Sequence, residues 1–280
     1  MNMFSRAGSL VLAAGLAVLA LSGCGGSESA ATNSSTSTTA STASTTTSST
    51  TTAAPVDYPT ALTQRLAKEL DDPAVAAQVV ERLGPEFVTS MESKIPLAEV
   101  ATSPHLAYIP ERTADNKIDS LVIFAFGYRD APDGSRLPGP ANEAMATAVE
   151  KFVKDRPMPI YAQHEVAKLL QVNKVPDVVS IEPVVGADGK TVYLSTAGVA
   201  EDIVKRAGEA KVDLGTVGVV CFADHVVRCV ETAKAAGMDA TVPESIDLPT
   251  EYDPESAQAW TRDRVSYVAT DLTSRMASIS

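Results

Sequence analysis

The chain contains few of the residue types that metal sites and several enzyme classes need. Its 280 residues include three cysteines, three histidines and one tryptophan, and aromatic residues make up 5%. No CxxC or HExxH pattern occurs, so the sequence predicts no metal site. The G-x-x-x-x-G-K-S/T phosphate loop, a G-x-G-x-x-G fingerprint after the first strand and the G-x-S-x-G elbow are also missing, which argues against the enzymes that use them.

Positive charge is scarce as well. The chain has 23 Lys and Arg against 35 Asp and Glu, a net charge of −12 at pH 7, and no dense Lys/Arg block. Because nucleic-acid-binding proteins neutralise phosphates with such blocks, nucleic acid is not a predicted partner. The hydrophobic content of 45% and the charged content of 21% are typical of a globular protein.

The first 23 residues have the features of a bacterial signal peptide. Arg6 precedes an apolar run over residues 10–21, which is too short to span a bilayer. The run ends in LSGC (residues 21–24), which resembles the lipobox of bacterial lipoproteins, where cleavage leaves an acylated cysteine as the new N-terminus. We therefore predict a lipoprotein signal peptide over residues 1–23 and lipid attachment at Cys24. A plain secretory signal with an incidental cysteine is the alternative.

Residues 24–56 are predicted to form a disordered linker. From 25 to 54 they are almost entirely Ser, Thr, Ala and Gly, which cannot bury enough apolar surface to offset the entropy of ordering. A flexible coil of about thirty residues has a root-mean-square span of roughly 30 Å. The linker would hold the folded domain away from the extracytoplasmic side of the cell membrane, where acyl chains on the cysteine anchor the protein.

Residues 57–280 are predicted to form one α/β domain, with a helical preface over residues 57–113 that covers one edge or face of the sheet. Continuous apolar runs predict strands, and apolar residues at helical spacing predict helices between them. The repeated strand–helix order predicts a mostly parallel sheet with helices on both faces, a Rossmann-like three-layer fold. The predicted strands cover residues 118–126, 158–162, 177–181, 191–194 and 240–242, with another starting at 216. The predicted helices cover 59–70, 73–83, 141–154, 196–210 and 254–276, with others starting after 163 and 224. Gly84-Pro85 ends the second helix and residues 86–113 are predicted to be a mixed connector. Ser195 or Thr196 is the predicted cap of the helix that runs to 210, and Asp253 that of the last helix.

The most informative stretch covers residues 216–229, where a buried strand leads into a helix. Asp224 is the predicted N-cap of that helix, and His225 and Arg228 share one face of its first turn. In an open α/β sheet this position lies at the edge where ligands bind. His225 is a candidate acid, base or phosphate donor, or else a histidine that meets solvent. Arg228 is a candidate partner for a carboxylate or phosphate, or else a surface partner for Glu231.

Further candidates follow the other strands. Glu165 is a candidate base or acceptor for a ligand hydroxyl, or else a charge favoured by the positive end of its own helix. His225 and Glu165 are thus the two catalytic candidates. Cys221 and Cys229 are predicted to be two separate buried cysteines, and a disulfide between them stays open. Trp260 is predicted to lie in the core. The full set of predicted ligand-binding residues is Gly127, Gln163, Glu165, Thr196, His225, Arg228 and Arg262, although Thr196 is first of all a helix cap and Arg262 is more typical of a solvated charge.

Four short motifs together resemble the YdcF/SanA/ElyC-like family over residues 118–275. They are VIFAFGY (122–128) followed by Asp133-Gly134, PIYAQHEV (159–166), the stretch from Val219 through His225 and Arg228 to Gly237, and ESAQAWTR (255–262). The chain departs from the family in two places. No basic residue is evident between residues 141 and 148, and STAGVAE (195–201) replaces the family's Asn-Thr-x-Glu-Asn segment.

The resemblance implies a Rossmann-like domain on the outer side of the cytoplasmic membrane, with a role in envelope and cell-wall precursor metabolism. One branch of the family binds S-adenosylmethionine, so this cofactor is an implied candidate. We expect an envelope lipoprotein that binds a small anionic or nucleotide-like ligand and assists envelope biogenesis, with any chemistry being transfer or hydrolysis at a phosphate- or sugar-containing precursor. A non-catalytic binding or scaffold lipoprotein is the alternative. A two-lobed solute receptor is disfavoured, because one lobe is predicted.

Overall fold

The computed structural model describes residues 56–185 and 191–279. The predicted signal peptide, Cys24 and nearly all of the predicted linker lie outside these residues. The described part contains a six-stranded sheet in which every neighbouring pair of strands is parallel. The predicted parallel α/β architecture is therefore confirmed.

The sheet has the strand order β1-β10-β9-β2-β5-β6. Two short antiparallel hairpins, β3–β4 and β7–β8, lie outside it. The strand predicted at 191–194 is thus part of a hairpin and does not belong to the main sheet. The strands are β1 (Arg112–Thr113), β2 (Ser120–Ile123), β3 (Arg129–Asp130), β4 (Arg136–Leu137), β5 (Ile160–Gln163), β6 (Val178–Ile181), β7 (Val184–Val185), β8 (Thr191–Val192), β9 (Thr216–Val220) and β10 (Asp239–Pro243).

Helices cover both faces of the sheet. They are α1 (Tyr58–Leu70), α2 (Pro73–Lys94), α3 (Pro140–Val153), α4 (His164–Val172), α5 (Thr196–Ala210), α6 (Val226–Ala235) and α7 (Arg264–Ser278). Right-handed crossovers place α3 and α4, which touch each other, on one face, and α5 and α6, which also touch, on the other. All four residues of β2 are buried, as expected for a strand covered on both sides. Within the described residues, no helix combines the length and apolarity needed to cross a bilayer.

The strand order reverses direction between β2 and β9. From β2 the chain adds β5 and then β6 on one side, whereas β9 and β10 add on the other side. In open α/β sheets such a switch point leaves a crevice beyond the carboxyl ends of the two central strands. The topology therefore places a crevice after Ile123 and Val220.

The helical preface is an integral part of the core. Leu62 and Leu66 of α1 are fully buried. The second predicted helix does end at Gly84, whose φ of 76° is not helical, but Pro85 starts a further helical segment that runs to Lys94. Residues 86–94, predicted as part of a mixed connector, are therefore helical. Proline is favoured in the first turn of a helix, which explains why Pro85 can start this segment. The preface ends in β1, which pairs with β10 and covers that sheet edge as predicted.

The closing helix is shorter than predicted. It begins at Arg264, and its N-cap is Asp263, whose Oδ1 accepts a hydrogen bond from the Ser266 backbone N–H at 2.8 Å. Asp253, the predicted cap, instead binds both Nε and Nη2 of Arg129 at 2.8 and 2.7 Å. The cap prediction was wrong because a tertiary ion pair occupies that carboxylate.

Asp224 was also wrongly predicted as a cap. Its carboxylate accepts hydrogen bonds from the Tyr252 hydroxyl at 2.7 Å and from Nε and Nη2 of Arg264 at 2.8 and 2.9 Å. The same guanidinium donates to the carbonyl of Leu70 at the end of α1. Arg264 thus joins the preface, α7 and the carboxyl end of β9. Near this junction, Cys221 and Cys229 are both buried and free, which agrees with the prediction of two separate cysteines.

Candidate functional site

A cavity of about 360 Å³ opens at the switch point of the sheet. Its wall consists of residues 124–127 after β2, Gln163 at the end of β5, residues 193–196 before and at the start of α5, His225 after β9, and parts of α6, α7 and the segment 258–261. A volume of a few hundred Å³ is typical of small-molecule sites. The position and size of this cavity make it the candidate ligand site.

The structure brings five of the seven predicted ligand-binding residues to this cavity. They are Gly127, Gln163, Thr196, His225 and Arg228. Their side chains are far apart in sequence and meet because the carboxyl ends of parallel strands share one edge. The predicted convergence is confirmed for these five residues.

Glu165 and Arg262 do not reach the cavity wall. Glu165 is 1% exposed and lines a separate space of about 10 Å³, with Tyr193 forming part of the wall of both spaces. Burial raises the pKa of its carboxyl group above the usual value. Arg262 is exposed, and its Nε donates to the carbonyl of Ser256 at 2.7 Å. The expectation that both residues face a common ligand was therefore wrong.

The backbone after β2 is held in place by buried amide side chains. Asn142 accepts a hydrogen bond from the Phe126 N–H and donates one to the Gly127 carbonyl, both at 2.9 Å. Gln163 accepts one from the Ala125 N–H at 3.1 Å through Oε1. Gln163 lines the cavity, and its amide NH₂ group donates no hydrogen bond to the described residues. Asn142 was not predicted, because a single asparagine in a helix gives no sequence signal of this role.

Gly127 permits a close approach between the strand end and the segment before α7. Its φ is +66°, and a Cβ atom at this position would lie 2.8 Å from both Ser256 Oγ and Thr261 Oγ1. Those two hydroxyls hydrogen-bond to each other at 2.7 Å. Only glycine suits both the backbone conformation and the contact. Gly127, which was predicted as a ligand-binding residue, therefore shapes the wall of the site.

Aromatic rings form one side of the cavity. Phe126 and Phe222 stack with centroids 3.9 Å apart and planes 7° from parallel. Tyr267 packs edge-on against Phe126 at 4.9 Å and against His225 at 5.9 Å. Phe126 and Tyr267 line the cavity and Phe222 packs behind Phe126, so this side of the site is apolar, which strengthens electrostatic interactions there.

Two arginines share one buried carboxylate below the cavity. Arg275 Nε donates to Asp271 Oδ2 at 2.6 Å, and Arg228 Nε lies 2.9 Å from Asp271 Oδ1. The Asp271 side chain is fully buried, and the Tyr108 hydroxyl also donates to it at 3.0 Å. Arg228 is therefore not a surface partner of Glu231. Arg228 lies on the cavity wall and shares this carboxylate with Arg275, which is buried behind the wall and also feels the charge of Glu231. The positive charge of Arg228 is therefore only partly offset by Asp271.

His225 is neutral at pH 7. It is 5% exposed, and burial together with the charges of Arg228 and Arg275 lowers its pKa well below the usual value. Nε of Arg228 donates to its Nδ1 at 3.3 Å, so the ring proton is assigned to Nε2. A solvent-facing histidine is therefore excluded, and the group that His225 offers a ligand is an N–H donor.

The N-terminus of α5 also borders the cavity. Ser195 caps it by accepting a hydrogen bond from the Gly198 N–H at 3.1 Å, and both Ser195 and Thr196 lie on the cavity wall. Of the two predicted caps, Ser195 and Thr196, Ser195 is therefore the one that caps the helix. The positive end of a helix favours anions nearby.

Sequence reasoning missed several residues of the site. Trp260 was predicted as core but is 46% exposed and lies on the cavity wall. Asp271 and Arg275 were not singled out, although their spacing of four on a helix is a known pairing signal. In the described ranges 56–185 and 191–279, no group of three or more His, Cys, Asp or Glu side chains is arranged to hold a metal ion.

The fold and site define the chain as a Rossmann-like three-layer α/β protein with a cavity at its switch point. The chain matches no protein-family model, no curated protein and no solved structure. The resemblance to the YdcF/SanA/ElyC-like family therefore remains a prediction.

Replacing Gly127 with alanine should destabilise the protein and move the segment before α7. We expect a loss of more than about 1 kcal/mol in the free energy of unfolding, measured by urea denaturation. Gly134→Ala is the matched control, because Gly134 also has a positive φ of +79° but nothing lies within 4 Å of a Cβ there. Equal losses in the two variants would show that the contact with Ser256 and Thr261 contributes nothing.

The buried His225 should make stability depend on pH. Below pH 6.5, the ordinary pKa of histidine, the unfolded chain binds a proton at His225 that the folded protein does not bind. The free energy of unfolding therefore falls as the pH falls. The slope contributed by this residue is at most about 1.4 kcal/mol per pH unit. The raised pKa of Glu165 makes the free energy of unfolding change with pH in the opposite direction. The contribution of His225 is therefore the difference between the pH profiles of wild type and His225→Gln. Urea unfolding between about pH 5 and 7.5 should give a flatter profile for the variant. Identical profiles would mean that the pKa of this histidine is the same in the folded and the unfolded protein.

Proposed function

We propose that this protein is a membrane-anchored lipoprotein of the cell envelope whose domain binds a small anionic, nucleotide-like ligand in the switch-point cavity and assists envelope biogenesis. The single observation that carries the binding proposal is the guanidinium of Arg228 on the cavity wall, whose partner Asp271 is shared with Arg275. The whole chain carries a net charge of −12, and Arg228 is the one Lys or Arg that the described residues place on this wall. An anion is therefore attracted to this end of the cavity.

The polar groups around the cavity also suit an anion. Arg228 is partly exposed, so its guanidinium is available to a bound oxyanion. The Nε2–H group of His225, the amide NH₂ of Gln163 and the start of α5 add donors. Phosphate and carboxylate oxygens accept such hydrogen bonds.

S-adenosylmethionine, implied by the family resemblance alone, fits this cavity poorly. Its sulfonium and ammonium groups are both cations, and the one acidic side chain that the described residues place on the cavity wall, Asp271, is already paired with Arg228 and Arg275. We therefore derive no step through this cofactor.

The geometry favours binding over turnover. Transfer or hydrolysis at a phosphate- or sugar-containing precursor needs a base near the ligand. Nδ1 of His225 already accepts a hydrogen bond, and Glu165 lies beyond Tyr193. These contacts therefore support the alternative that the sequence left open, a non-catalytic binding or scaffold lipoprotein.

Arg228→Gln should weaken the binding of a simple sugar phosphate. With ribose 5-phosphate as the probe and isothermal titration calorimetry of the full chain in detergent, we expect roughly ten-fold weaker binding, as for the loss of one hydrogen bond between charged groups. Arg262→Gln is the control, because this exposed arginine lies off the cavity wall and its loss should leave affinity unchanged. Equal affinities of wild type and Arg228→Gln would contradict the proposed anion site.

The membrane anchor rests on the sequence at residues 21–24 and has its own test. Expressed in a bacterial host with labelled palmitate, the wild-type protein should carry label and sediment with membranes, whereas Cys24→Ser should do neither, because it lacks the thiol that is acylated. Cys221→Ser, at a buried cysteine of the domain, should keep the label. Labelling of Cys24→Ser would contradict the proposed anchor.

A further inference from the structure

Trp260 is an exposed aromatic side chain on the wall of the cavity. Among the large hydrophobic residues that are exposed in the described part of the chain, it is the only aromatic one. It is also the only tryptophan of the protein. Exposing so large an apolar surface is unfavourable in water, and at a cavity mouth such a ring typically contacts a ligand.

The turn that carries Trp260 is held firmly in place. It lies in a 3-10 helical turn, Ala259–Thr261, in which Thr261 is buried and its hydroxyl donates to the Gln258 carbonyl at 2.9 Å. The same hydroxyl bonds to Ser256, which sits against Gly127. At the start of this segment Asp253 is bound by both Nε and Nη2 of Arg129. The indole is therefore presented by a fixed backbone, which lowers the entropy lost on ligand binding.

The cavity thus has two chemically different parts. One part has the cation Arg228, with the buried Arg275 behind it, and another has the exposed indole of Trp260. A ligand that uses both has an anionic group and a flat apolar ring. A quaternary ammonium ion also binds indole faces, but the two arginines repel it.

We propose that Trp260 is the stacking surface for the ring of the ligand, and that the ligand is of the nucleoside monophosphate class. This inference rests on the proposed anion site and adds the residue that binds the ring of the ligand. Trp260 acts in binding, and no bond is made or broken by it.

The test compares adenosine 5′-monophosphate with ribose 5-phosphate, which has the same phosphate and sugar but no aromatic base. Because the protein has a single tryptophan, its intrinsic fluorescence reports directly on this position. We expect the nucleotide to quench the emission and to bind about ten-fold tighter than the sugar phosphate, a gain within the range for one base stacked on an aromatic side chain.

Variants at position 260 separate stacking from the anion site. Trp260→Ala should bind both compounds equally, at the affinity of wild type for ribose 5-phosphate, as measured by calorimetry. Trp260→Phe should retain most of the preference for the nucleotide, because a phenyl ring still stacks. Thermal unfolding followed by circular dichroism should stay close to wild type in both variants, since the side chain is half exposed.

Three results would overturn the inference. Equal binding of the two compounds to wild type would contradict the ring-binding role of Trp260 but would agree with the anion site. Binding of neither compound would remove both the inference and the proposed function. A blue shift of the emission with phospholipid vesicles, without any response to the nucleotide, would assign Trp260 to membrane contact instead.

Discussion

The buried carboxylate of Asp271 is the constraint on which the site depends. A fully buried charge is tolerated only when partners replace the lost hydration. Here Arg275, Arg228 and the Tyr108 hydroxyl do so from α7, α6 and the segment before β1. This requirement fixes α6 and α7 against each other at the carboxyl edge of the sheet. It also holds Arg228 on the cavity wall beside a carboxylate that Arg275 shares, which is the electrostatic basis of the site.

Two other ion pairs support the wall from outside it. Arg264 connects Asp224 to the end of α1, and Arg129 binds Asp253 next to the close contact at Gly127. Both pairs hold the segment between β10 and α7 over the strand ends. The cavity is therefore enclosed by contacts between residues more than a hundred positions apart as well as by local turns.

Local signals predicted the elements better than they predicted the roles of charged residues. The apolar runs before Gly127 and at β9 predicted strands, and the end of the second predicted helix at Gly84 was also predicted. Asp224 and Asp253 look like helix caps in sequence, but distant arginines occupy both carboxylates. Capping is decided within four residues, whereas an ion pair depends on which groups the fold brings together.

The sequence by itself determined the parallel α/β architecture, because hydrophobic periodicity and glycine or proline positions act locally and sum along the chain. It also placed Gln163, His225 and Arg228 at strand ends, which a parallel sheet must bring to one edge. Only the tertiary structure decided that Glu165 is buried behind Tyr193, that Asp271 holds two arginines, and that Trp260 lies on the cavity wall. Those outcomes depend on the packing of α7 and its preceding segment, and packing between distant segments leaves no mark in local sequence.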